Sequence, residues 1–107
     1  MSCDSVFYSH DARMANGWLD LAKAYTQFAL GHVSHNEHYR VVVEFEHSLY
    51  MYEQYKYHMS NLSLSVPAEE EEAIQSSEVL RQGHAEAQKK KEDQESLQRI
   101  KEYFCNI

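Results

Sequence analysis

The chain has 107 residues, 17 acidic and 10 basic side chains, and a formal net charge of −7 with histidine neutral. That length suits one domain able to bury roughly two-thirds of the surface its unfolded form exposes, and its acidity disfavours direct binding to nucleic-acid phosphate. One proline and three glycines, set against plentiful glutamate, glutamine, lysine, alanine and leucine, favour helix throughout.

No stretch approaches the roughly 20 apolar residues of a membrane span, and the opening Met-Ser-Cys-Asp-Ser-Val-Phe-Tyr lacks the basic and apolar regions of a signal peptide. Cys3 and Cys105 sit at opposite ends. Without an export signal they are expected to be free thiols in a reducing cytoplasm, bridged only if the termini meet.

The first helix is expected over residues 10–31. Met14, Trp18, Leu21, Tyr25, Phe28 and His32 recur every three or four residues and so share one stripe, expected to face the core. Asp11 is placed to cap its start, and Gly31 is placed to end it by adopting a positive φ. The second helix is expected over 34–60. Ser34 followed three residues later by Glu37 reads as a capping box. His38, Val42, Phe45, Leu49, Tyr52, Lys56 and Met59 form its stripe, widened by Val41. Two neighbouring helices with matched heptads and a short link imply an antiparallel hairpin.

Residues 60–66 alternate polar and apolar and are expected to form a strap that tucks Leu62 and Leu64 against the hairpin. Pro67 then opens a third helical segment, 67–106, with Glu69 to Glu72 complementing the helix dipole in its first turn. Its apolar residues change face: Ala73, Leu80 and Ala87 line one side, and Leu97, Ile100, Phe104 and Ile107 another. Either the segment breaks near Gly83, or it continues and serves two different neighbours, one of them another chain. The expected fold is therefore an all-α antiparallel bundle of three long helices within one domain, or four if the last breaks.

Chemistry-bearing side chains concentrate in residues 32–58, which hold five of the seven histidines and five of the eight tyrosines. His32, His35 and His38 recur every three residues, but their directions drift by about 60° per step, so a shared metal would need a ligand from elsewhere. Glu44 and His47 have the Glu-x-x-His spacing of ferritin-like carboxylate sites, yet they point away from the core stripe and lack a second copy. No metal or cofactor is expected. Titration of the cluster is expected to make association pH-sensitive between about 5 and 7.

Arg40 and His47 share a helix face with six residues between them. That spacing resembles the arginine-to-histidine motif of HEPN-domain ribonucleases, small helical proteins in which the two residues meet at a dimer interface and promote RNA cleavage. The resemblance covers residues 40–47 alone. Val41 stands where a polar residue is common, and Leu49 replaces the usual aromatic two residues beyond the histidine.

Tyr39, Val43, Tyr50 and Tyr57 form a second ridge on the same helix, edged by Glu46 and Glu53. Either the third segment covers this ridge within the chain, or a partner protein or second copy does. The leading expectation is a non-catalytic, acidic protein-binding module of the cytoplasm. It would occupy a partner's surface as inhibitors, antitoxins and phage-encoded antagonists do, and Tyr39, Arg40, His47, Tyr50 and Tyr57 are its expected contacts. Two alternatives are a nucleic-acid mimic that blocks a DNA- or RNA-binding site, and a HEPN-like ribonuclease acting through Arg40 and His47.

Overall fold

The computed structural model describes residues 3–106, with side chains from residue 10 onward. Three α-helices account for nearly all of it: α1 (Cys3–Val33), α2 (His38–Asn61) and α3 (Ala68–Cys105). No strand occurs among the described residues. The expected positions of the cysteine thiol at Cys3 and of Ile107 lie outside the described side chains, whereas Cys105 is free and exposed.

Both turns are built alike. At the end of α1, the Glu37 N–H donates to the His32 carbonyl and the Asn36 N–H to the Val33 carbonyl, while Asn36 takes a left-handed φ of 54°. At the end of α2, Leu64 donates to Met59 and Ser63 to Ser60, with Ser63 at φ 55°. This is the Schellman pattern, which satisfies carbonyls the helix leaves over. Gly31 is not the stop: no glycine has a positive φ, and asparagine, which tolerates the left-handed region, serves instead. The capping box is also not made. Ser34 Oγ donates to the Gly31 carbonyl at 2.9 Å, and α2 starts at His38 with no side-chain cap. Asp11 lies within α1 and caps nothing.

The core stripe of α1 is alanine. Ala15, Ala22 and Ala29, seven residues apart, are buried, and they face Val41, Phe45, Ser48, Tyr52 and Tyr55 of α2. Their small side chains let the two backbones approach closely. At the point of contact Ser48 Oγ donates to the Ala22 carbonyl at 3.0 Å and lies 2.6 Å from Thr26 Oγ1. The expected stripe is thereby corrected for α1: Leu21 is 46% and Phe28 60% exposed. On α2 the expected stripe is right at Val41, Phe45 and Tyr52, and Ser48 and Tyr55 join it. Burying a side chain such as Phe45 contributes about 1.5–3 kcal/mol.

α3 does not break at Gly83. Its first half packs on α2, with Leu80 against the Ala29–Val41–Phe45 cluster and Ala73 and Ile74 against the cluster of Tyr52 and Tyr55. Arg81 clamps the pair by binding Glu78 through two nitrogens, at 2.7 and 3.2 Å, and lying 3.8 Å from Glu46 on α2. At the opposite end Glu71 reaches Lys56 at 3.8 Å, and Glu70 reaches Lys23 of α1 at 4.0 Å. In the strap, Val66 packs on the core while Leu64 is exposed, so the expected role of Leu64 passes to Val66.

Beyond residue 88 every described residue of α3 is exposed. The helix therefore projects past the end of the bundle where α1 finishes and α2 begins. The molecule measures 80 × 22 × 18 Å with a radius of gyration of 20.0 Å, against about 13 Å for a compact chain of this length.

The alanine stripe has a direct test in urea denaturation. Ala22→Leu should overpack the α1–α2 contact and cost about 1–3 kcal/mol, whereas Leu21→Ala, one residue away on the exposed side, should cost less than about 1 kcal/mol. The reverse order would place the wrong face of α1 in the core.

Candidate functional site

The hairpin sorts the aromatic residues of α2 into two sets. Tyr52 and Tyr55 enter the core, where burial pushes both phenols above their ordinary range. Tyr39, Tyr50 and Tyr57 stay outside, at 67%, 53% and 60% exposure. α3 packs on the other side of α2, so it leaves this ridge uncovered.

Because alanine fills the centre of the α1 interface, Leu21 and Phe28 are displaced toward the same side as the ridge, and Trp18, half-buried against the core, borders it. Trp18 meets Tyr50 edge to face, with ring centroids 6.4 Å apart and planes at 87°. Tyr25 meets His47 at 5.2 Å and Phe28 at 6.2 Å. Tyr57 continues the face at one end, its ring 5.2 Å from that of His58. Met14, Gly17, Trp18 and Leu21, with Arg13 at the rim, line a shallow depression whose surface is almost entirely apolar. The two helices thus share one aromatic outer face.

Of the expected contact residues, Tyr50 and His47 are brought together with α1, and Tyr39 and Tyr57 lie along the same ridge. Arg40 stands apart: its Nε is 3.4 Å from Glu37 Oε2 and its charge is directed to the turn. Leu21 and Phe28 belong to this face although their spacing reads as core, whereas Trp18 packs half-buried against the core as its spacing predicts and meets the face at Tyr50. The signal that identifies them is the alanine repeat at 15, 22 and 29, which supplies a second, smaller stripe with the same period.

The histidines separate into structural pairs. His32 Nδ1 lies 3.1 Å from Glu37 Oε2. His58 Nδ1 donates to Asp11 Oδ1 at 2.9 Å, with Asn61 Nδ2 donating to the same oxygen at 3.2 Å. These donors hold the Asp11 carboxyl below the usual carboxylate range. His38 and His84 meet across α2 and α3 with their Nδ1 atoms 2.6 Å apart. One nitrogen must donate and the other accept, so the pair holds together only while at least one ring is neutral. Burial, and then the charge of His38, lower the pKa of His84. Among the described residues no group of three or more His, Cys, Asp or Glu side chains is placed to hold a metal ion.

The His84 shift gives the fold a pH dependence of defined sign. The unfolded chain takes up this proton near pH 6.5, and the folded chain only at lower pH, so its contribution is complete above about 6.5 and is lost as pH falls. The urea midpoint should therefore drop between about pH 7.5 and pH 5.5, and the drop should shrink in His84→Gln. An identical drop in the variant would assign the effect to other groups.

No family model matches the chain, and no curated protein or solved structure is significantly similar to it.

Proposed function

We propose that the protein is a non-catalytic binding module that acts by covering part of a partner protein's surface, with the outer face of the α1–α2 hairpin as its contact surface. The observation that supports this most is the arrangement of the hairpin: alanine lies inside, Leu21, Phe28, Tyr39, Tyr50 and Tyr57 are exposed, and Trp18, half-buried against the core, borders them through its contact with Tyr50. Contiguous exposed apolar surface mostly marks an interaction site. Tyrosine suits such a site because it joins a large apolar body to a hydrogen-bonding tip.

Small size, acidity and a single broad face fit an inhibitor or regulator of the antitoxin or phage-antagonist kind; this step is analogy from physical character. Of the expected contacts we retain Tyr39, His47, Tyr50 and Tyr57, and we assign Arg40 to the rim. Among the described residues no helix is long and apolar enough to cross a membrane. The free, exposed Cys105 suits a reducing compartment, and we place the interaction in the cytoplasm.

The test is capture from the native host followed by mass spectrometry, with wild-type bait against Tyr50→Ala/Tyr57→Ala. Loss of an aromatic anchor should lower recovery of a specific partner about 10-fold or more. Unchanged recovery would remove the tyrosine ridge as the contact surface. Retention in about 0.5 M salt is expected for aromatic-led binding, whereas release there would favour acidic mimicry of nucleic acid.

A further inference from the structure

We propose that the outer face of the hairpin is occupied by the projecting end of α3 from a second copy of this chain, each copy reciprocating to form a dimer. The proposal rests on the reading of that face as a protein-docking surface and names its occupant.

Two apolar faces are left uncovered in one molecule. The first is the hairpin face just described. The second is on the projecting part of α3, where Leu97, Ile100 and Phe104 are exposed with spacings of three and four residues. The projecting segment is long enough to span the hairpin face: Met14 to Phe28 covers about 21 Å of helix and Lys89 to Cys105 about 24 Å, of which the apolar stripe Leu97–Phe104 takes about 10 Å.

Charge selects the pairing. Half of the chain's ten Lys and Arg residues, but only four of its seventeen Asp and Glu, lie beyond residue 87. The projecting end is thus weakly basic on an otherwise acidic molecule. Three of its five bases flank the apolar stripe: at 100° per residue, Lys89, Lys90 and Lys101 fall within about 70° of Leu97–Ile100–Phe104, whereas Lys91, Arg99, Glu92, Glu95 and Glu102 fall more than about 110° from it. Asp93 is the one acid on the apolar side. On the receiving side Glu46 and Glu53, both exposed, edge the ridge along its border toward α3, where Glu46 also lies 3.8 Å from Arg81, and Arg13 stands at the α1 rim. A weakly basic projecting end is complementary to the acidic body that carries this ridge.

The geometry also closes. α3 packs on one side of the hairpin and the aromatic face lies on the other. A two-fold axis perpendicular to both the long axis and the line joining these sides places two molecules end to end. The α3 layer of each then continues as the layer over the aromatic face of its mate. Each projecting helix enters at the turn end, where Phe28 and Tyr39 lie, and both contacts form at once. That is the closed, self-complementary arrangement expected of a two-fold dimer.

Sedimentation equilibrium of the full chain from about 1 µM to about 100 µM tests the assignment. The wild type is expected to be a dimer at the upper end, and both Leu97→Glu/Phe104→Glu and Phe28→Glu/Tyr50→Glu are expected to be monomers. All four positions are exposed, so both variants should keep the cooperative urea transition of the hairpin body, with any loss of helical circular dichroism confined to what melting of residues 89–105 accounts for. A wild-type monomer throughout, or a dimer that survives either pair of substitutions, overturns the proposal. Capture of a host protein by Leu97→Glu/Phe104→Glu, whose hairpin face is intact, separately tests the docking reading. A monomeric wild type with capture retained would make the occupant a different protein.

Discussion

Alanine at positions 15, 22 and 29 allows α1 to lie almost directly on α2, and the rest of the molecule follows from that approach. Phe45, Tyr52 and Tyr55 of α2 fill most of the space between the helices, with Trp18, Leu19 and Val33 of α1 packed at its margins. The contact is tight enough for Ser48 to reach a backbone carbonyl of the opposite helix. Close packing in turn points Leu21 and Phe28 of α1 out of the interface, while Trp18 and Leu19 stay packed at its edge. The aromatic outer face is thus a product of how the inner one is packed.

α3 contributes differently. It adds Leu80, Ala73 and Ile74 to clusters the hairpin has already formed, and it is tied down by charge-assisted contacts at Arg81, Glu70 and Glu71. The His38–His84 contact is the last cross-helix hydrogen bond before the helix leaves the bundle. Past it the composition changes to alternating charge and glutamine, which supports a solvated helix through local pairs such as Gln88 with Glu92 and Gln98 with Glu102. Continuity through Gly83 costs only about 1 kcal/mol relative to alanine, too little to break a helix with strong formers on both sides.

Helix type and number were readable because every segment carries a 3.6-residue pattern with few breakers. The α2 stripe was readable at Phe45 and Tyr52 for the same reason. The α1 stripe was not, since two patterns of equal period run along that helix and the bulkier one suggests the core. Choosing between them requires knowing how large the facing side chains of α2 are, which is a tertiary property. The turns were misplaced because glycine is the easier sign of a left-handed residue, and here Asn36 and Ser63 take that role. The tyrosine ridge was visible as a face of α2. Its union with Leu21 and Phe28 was hidden by the assignment of those residues to the interior, an assignment that is right for Trp18.

The end of α3 has one more consequence. A helical segment of this length without a packed face is marginally stable in water, because nucleation is costly and each added residue gains little. Residues 89–105, exposed throughout, hold their shape by local bonds alone and can melt without disturbing the hairpin. The molecule therefore has two tiers of order, a cooperative body and a tail whose backbone amides open to solvent on their own. Whatever settles on that tail fixes its conformation as well as its position, and part of the binding free energy goes into making it a helix.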